Sequence, residues 1–239
     1  MKTVLFVAFF CMAISYTAKS QDNWGGGVDD ERLNFGFQFN YVSSEFKVLK
    51  VRDWQNLPTP VKGGGNALRA IGAPAKPGFG IGLVSNLKMT DHTDLRFTPS
   101  MVFSDKELQF AFANEPVYTK LIQSTFIDLP LGVKLKSDRR GNFRAYMIAG
   151  GKYSRNIVSK KKLDDSEMVD EEKFIANKRG FFSYEAGIGL DFYFEYFKMS
   201  PEIKFSQSFN SVLDRRDTHF DRSLDKLYHK GIHISLFFE

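Results

Sequence analysis

From residue 33 onward, apolar and polar residues alternate along the chain in blocks with a period of two. Leu33, Phe35, Phe37, Phe39 and Tyr41 share one side, with Asn34, Gly36, Gln38 and Asn40 opposite. Phe79, Ile81 and Leu83 alternate with Gly78, Gly80 and Gly82, and Leu95, Phe97, Pro99, Met101 and Phe103 with Arg96, Thr98, Ser100 and Val102. Ile127 to Leu135 carries Asp128, Pro130, Gly132 and Lys134 on its other side, and a fifth block runs from Phe143 to Tyr153. Phe182 to Phe194, Met199 to Phe205 and Ile232 to Phe238 repeat the pattern. Strict alternation predicts strands with one apolar face. Eight of them follow, most longer than the mode of about 5–6 residues in globular proteins and near the about 9–11 residues that cross a bilayer.

The connections fall into two classes. Residues 91–94, 137–142 and 195–197 are short; residues 44–77, 105–123, 155–179 and 211–228 are long. Short and long alternate strictly, as the turns and outer loops of outer-membrane barrels do. The pattern predicts an all-β chain: an eight-stranded antiparallel up-and-down transmembrane β-barrel with both termini in the periplasm. A soluble eight-stranded barrel or sandwich with a binding cavity shares the period. It differs in which face points outward, and periodicity is blind to that.

The first residues bear on the compartment. Met1 and Lys2 precede an apolar run from Val4 to Ala13, and Ala18-Lys19-Ser20 places small residues before Gln21. That is the form of a secretory signal peptide over residues 1–20, leaving residues 21–239 as the barrel domain. Cys11, the single cysteine, departs with it, so the mature chain has no disulfide. Cleavage removes Lys2 and Lys19 from 33 basic residues and none of the 28 acidic ones, so the formal charge falls from +5 to +3. This mild, interspersed charge argues against nucleic acid as a partner. With 25 phenylalanines and no long apolar run after residue 20, the chain suits strands that show aromatic residues to lipid.

Candidate chemistry is sparse. Gly78-Phe79-Gly80-Ile81-Gly82 lies within a strand, whereas a phosphate-binding glycine loop must open a helix; inward glycines of a narrow barrel account for it. His229 and His233 are four apart, about 13 Å along a strand, too far to share a metal ion. Ser235 beside His233 has poor geometry for a nucleophile and its base. The acidic run Asp164 to Glu172 after Lys160–Lys162 lacks calcium-loop spacing. It reads as a solvated loop or as a contact with a partner or with cation-bridged lipopolysaccharide. Arg96, Lys134, Arg144, Glu185, Glu202 and Lys204 fall opposite the apolar rows and are expected to form a mixed-sign network plugging the lumen. Asp138, Arg139 and Arg140 make 137–142 the most charged short turn: an ordinary solvated turn or a periplasmic docking site. No catalytic residue, cofactor or metal site is expected, and a small-molecule substrate is not indicated.

Residues 124–153 (Ser-Thr-Phe-Ile-Asp-Leu-Pro-Leu-Gly-Val-Lys-Leu-Lys-Ser, then Asn-Phe-Arg-Ala-Tyr-Met-Ile-Ala-Gly-Gly-Lys-Tyr) and residues 180–206 resemble the PorT family of Bacteroidetes, within the broader outer-membrane β-barrel group. The resemblance implies a non-enzymatic outer-membrane component needed by the type IX secretion system. That system exports proteins bearing C-terminal sorting domains and supports gliding motility in some relatives. The implied partners are outer-membrane lipid and other secretion components. The alternative is a structural or adhesion barrel acting through its long loops.

Overall fold

A computed structural model describes residues 31–55, 68–113, 117–122, 124–157, 176–214 and 223–239. The expected leader and the charged run 160–172 lie outside the described residues. The described strands are β1 (Leu33–Lys50), β2 (Leu68–Gly72), β3 (Lys76–Lys88), β4 (Thr93–Phe97), β5 (Ser100–Phe103), β6 (Lys106–Phe112), β7 (Tyr118–Ile122), β8 (Thr125–Lys136), β9 (Phe143–Asn156), β10 (Ala176–Asn177), β11 (Gly180–Tyr193), β12 (Lys198–Ser208), β13 (Leu213–Asp214) and β14 (Leu224–Phe238).

Nine of these build one antiparallel meander. β3 pairs with β4 and β5, both of these with β8, and the ladder continues through β9, β11, β12 and β14. β1 pairs with β14 on one side, from Phe37–Phe238 to Lys50–Leu224, and with β3 on the other, from Leu33–Leu87 to Ser44–Lys76. The sheet therefore closes and leaves no open edge. Because β4 and β5 are two halves of one wall position, the barrel has eight strands.

The break between those halves has a local cause. Pro99 interrupts the strand, and Pro130 lies in the neighbouring β8. Thr98 N–H donates to Pro130 O at 3.2 Å, but proline has no N–H to return the bond. Gln38 Nε2, from β1, donates to Thr98 O at 3.3 Å instead. It reaches there across Gly82 of β3, where a Cβ would come within 2.9 Å of that nitrogen. The glycines Gly78, Gly80 and Gly82 are thus lumenal, and Gly82 gives passage to the side chain that repairs the wall.

The barrel is the inverse of a soluble one. Phe35, Phe37, Phe97, Leu131, Ile188 and Ile203 all point outward, Phe35 at 70% exposure and Ile188 at 61%, whereas Arg96, Lys134 and Glu202 inside are at most 1% exposed. This settles the inside-outside question that periodicity left open, against the soluble alternative. Aromatic rings mark both ends of the apolar belt. Phe194 stacks on Phe197 at 4.8 Å and Phe37 on Phe238 at 5.2 Å at one end. Phe79 stacks on Phe103 at 4.9 Å, and Tyr153 meets Phe182 at 5.0 Å, towards the other.

Connections 89–92, 137–142 and 194–197 lie at one end with the start of β1 and the end of β14. The long connections lie at the other, and these are not plain loops as the sequence suggested. β1 runs on to Lys50 and β14 begins at Leu224, which shortens the connections read as 44–77 and 211–228. β2, β6 and β7 form a separate three-stranded sheet drawn from 44–77 and 105–123, and β10 pairs with β13 across 155–179 and 211–228. Leu68 and Ile71 of β2, Leu108, Phe110 and Phe112 of β6, and Val212 and Leu213 pack on Phe46, Leu224 and Leu227 at the upper ends of β1 and β14. The apolar core is therefore a cap over the long-connection end, and the middle of the barrel is filled by charge.

Candidate functional site

The lumen is the most densely organised polar region of the molecule. Inward positions of β4, β8, β9, β11 and β12, with Glu239 after β14, bring acids and bases from different strands into the lumen, and the narrow barrel forces them together. Near the short-turn end Lys136 pairs with Asp94 at 2.6 Å. Lys134 Nζ reaches both Asp191 oxygens at 2.8 and 2.7 Å, and Ser200 Oγ donates to Asp191 at 2.6 Å. Lys198 pairs with Glu239 at 2.7 Å. One level up, Arg96 donates to Glu202 at 2.9 Å and, through Nε, to Asn86 Oδ1 at 2.8 Å. Tyr146 O–H donates to the same Glu202 oxygen at 2.8 Å. Its ring lies over the lumenal face of Gly189, directly opposite in the ladder, where a Cβ would overlap it.

Above that, Lys204 lies between Glu202 at 3.4 Å and Glu185 at 3.5 Å. Lys152 bridges Glu185 at 3.1 Å and Asp128 at 3.0 Å, and contacts His233 at 3.4 Å. Above the last of these ion pairs comes Lys106 of β6, whose ammonium donates to Ser104 O at 3.3 Å and sits 4.4 Å from the Phe126 ring. There the apolar cap begins. His229 lies among Phe46, Phe126 and Phe181. Among the described residues no cluster of histidine, cysteine, aspartate and glutamate is placed to hold a metal ion. Two cavities of about 10 Å³ each remain in this stack, one beside Arg96, Glu185 and Lys204, the other beside Asp128, Lys152 and His229. Each has room for about one water molecule.

Of the residues the sequence singled out for the lumen, Arg96, Glu202, Lys204 and Glu185 form one connected set, and Lys134, itself paired with Asp191, joins it through the Tyr146 ring at 3.9 Å. Arg144 is half-buried on an inward position of β9 near the short-turn end. Sequence reasoning missed Lys152, Asp128, Lys198, Asn86 and Glu239 as members. Lys152 and Asp128 were legible as inward charges of β9 and β8. Glu239 was not: it follows the last aromatic, Phe238, yet its backbone pairs with Lys198 in both directions, at 2.7 and 2.9 Å, and its carboxylate turns inward to Asn86 and Lys198.

The turn 137–142 is built differently. His92 Nε2 donates to Asp138 Oδ1 at 2.9 Å, clasping this turn to 89–92. That hydrogen bond, with the positive potential of His92, holds the Asp138 carboxyl below its ordinary range, so the clasp persists as pH falls until that lowered value is crossed. Arg139 donates to Gly141 O at 2.8 Å, and its guanidinium lies 3.9 Å from the Tyr193 ring centre. Gly141 takes a φ of 61°, in the left-handed region that glycine occupies without strain. Arg140 is exposed.

A closed barrel with an apolar exterior, two aromatic rims and a charged interior defines a protein of the outer-membrane β-barrel class. The family model of the outer membrane protein beta-barrel domain matches residues 19–214, and the chain belongs to that family. No curated protein matches the sequence. Among solved structures, Neisserial surface protein A is similar over 87% of this chain and 98% of its own, at 8% identity and a TM-score of 0.42. OprG of Pseudomonas aeruginosa is similar over 86% and 91%, at 11% identity and 0.43. Ail, the attachment invasion locus protein of Yersinia pestis, in complex with sucrose octasulfate, is similar over 87% and 99%, at 13% identity and 0.37.

Membership makes the exterior a lipid surface. Ile188→Arg, in the middle of the apolar run of β11, is expected to lower folding stability in bilayers by about 2–4 kcal/mol. A fall in the urea midpoint of the folded, unboiled gel band checks this; an unchanged midpoint would place Ile188 away from lipid.

Proposed function

We propose that this protein is a non-enzymatic, non-conducting component of type IX secretion that works through the ends of its barrel. The supporting observation is the filled lumen: among the described residues, stacked ion pairs run between the short-turn end and the apolar cap, with water-sized gaps beside Arg96 and Lys152. Eight strands enclose an interior that side chains fill, so a folded cargo domain has no route through this one. Contribution to secretion then comes from holding or assembling other components. The resemblance of residues 124–153 and 180–206 to the PorT family points to that system.

In this reading the termini and the short turns face the periplasm. Asp138, Arg139 and Arg140 form the docking turn for a secretion component, with lipid around the belt. Arg139 and Asp138 are spent locally on Tyr193, Gly141 and His92, which shapes the turn and leaves Arg140 outward. The second reading is a structural or adhesion barrel acting through its long connections. It draws on the ordered cap, because β2, β6, β7, β10 and β13 make a built platform at that end.

Fractionation of a deletion strain separates the two. Sorting-domain cargo accumulating as precursor within the envelope supports the secretion role. Replacing Arg139 and Arg140 with glutamine should then reduce secretion at normal barrel abundance, since exposed charges contribute little to stability. Unchanged secretion in the full deletion removes the type IX role and leaves the adhesion or structural reading.

A further inference from the structure

The lipid-facing wall is not evenly convex. A groove of about 790 Å³ crosses it near the short-turn end, lined on the outside by Leu135, Ala145, Met147, Ile188, Pro201 and Ile203. Met147, Ile188 and Ile203 stand high on its sides, each more than half exposed. Ala145 and Pro201 are short or compact and let the groove sink between them. The β8–β9 hairpin carries the groove up to its turn. Ser137 also lines it, and Ser137 N–H donates to Ala145 O at 2.9 Å.

One step further along the same hairpin, Arg140 forms a two-way bridge with Phe143, at 3.0 and 3.3 Å. Residues directly opposed in an antiparallel pair share a face. Phe143 points outward, as do Ala145 and Met147, so Arg140 stands on the groove's side at its turnward end. The other charges of the turn are engaged: Asp138 by His92, Arg139 by Gly141 and the Tyr193 ring. Arg140, exposed on the same face beyond the end of the furrow, has a side chain long enough to bring a guanidinium to its mouth, where hydrocarbon gives way to headgroups.

We infer that this groove and Arg140 form a binding site for one anionic phospholipid, with an acyl chain lying along Ala145 and Pro201 and the phosphate paired with the Arg140 guanidinium. An apolar furrow in a bilayer takes an apolar chain, and a basic group at the surface selects an anionic head. A furrow with no charge at its mouth would take any lipid; a charged turn with no furrow would take any phosphate.

The test uses the purified, folded protein in detergent with no other component, so it is independent of any role in secretion. Phosphatidylglycerol and phosphatidylcholine of matched chains are offered together, and retained lipid is counted by native mass spectrometry. The wild type should hold one lipid and prefer phosphatidylglycerol by about fivefold, as one basic group at a lipid surface implies. Arg140→Gln should hold lipid with that preference reduced to near parity. Ala145→Trp, which fills the furrow from the lipid side, should lose retention of both lipids while keeping Arg139 and Arg140. Ala145→Leu is the smaller plug if the tryptophan variant does not fold, as judged by its unboiled gel mobility. Equal retention of the two lipids by the wild type, wild-type retention by a folded plugged variant, or displacement of phosphatidylglycerol by millimolar inorganic phosphate would each overturn the inference.

Discussion

A chain ending at residue 229 is expected to disappear from the outer membrane. Residues 230–239 carry most of β14, which pairs with Phe37 to Glu45 of β1 and with Met199 to Gln207 of β12. Removing them opens two edges inside hydrocarbon, where water cannot replace lost partners. Each unpaired backbone group then costs several kcal/mol. The truncation also takes Glu239 from Lys198 and His233 from Lys152 and Ser206, leaving lumenal charge without its partners. Immunoblots of membrane fractions should show the shortened chain degraded and no heat-modifiable band. Normal amounts of a folded, truncated band would mean that the wall does not close through β14.

Glu202→Gln is expected to have the largest effect of any single lumenal substitution. Glu202 is the node on which Arg96, Tyr146 and Lys204 converge, at 2.9, 2.8 and 3.4 Å, and its side chain is fully buried. The glutamine keeps the volume but removes the charge, so two buried cations lose their nearest counterion. Breaking a buried pair from one side costs about 3–5 kcal/mol, because the remaining charge stays desolvated. Arg96 keeps Asn86 at 2.8 Å, the Tyr146 hydroxyl at 3.4 Å and, as its remaining carboxylate, the more distant Glu239 at 3.8 Å. The urea midpoint of the protein in liposomes should fall accordingly. Adding Arg96→Met to Glu202→Gln should recover part of the loss, because it removes the stranded cation. Loss that simply adds across the two substitutions would show that they do not form a pair.

Much of the barrel was legible because a membrane wall writes its period into the sequence. The alternation of Leu33 to Tyr41 and of Ile127 to Leu135 lies along strands of the wall, and the alternating lengths of the connections follow the meander. What escaped depends on information carried between strands. The break at Thr98-Pro99 was hidden because Pro99 sits in phase with its apolar neighbours; only the adjacent Pro130 makes the missing donor matter. The partners of Arg96 come from β3, β9, β12 and the residue after β14, and their meeting depends on register and tilt that no single segment encodes. The cap was missed for a different reason. Leu108, Phe110 and Phe112 alternate as cleanly as any wall strand, but β6 spans only seven residues and falls within the connection 105–123, whose length already fits an outer loop. The preserved period of those residues was the available signal.

Planar-bilayer recording gives the most direct test of a barrel sealed from within. Protein whose folded state is verified by unboiled gel mobility is inserted at high density in 1 M salt under a steady potential. No discrete conductance steps are expected, because among the described residues the ion pairs from Lys136–Asp94 up to Lys152–Asp128, and the apolar cap above them, occupy the lumen. Reproducible ohmic steps from the wild-type barrel would contradict it, since ions would then be passing where the structure places side chains.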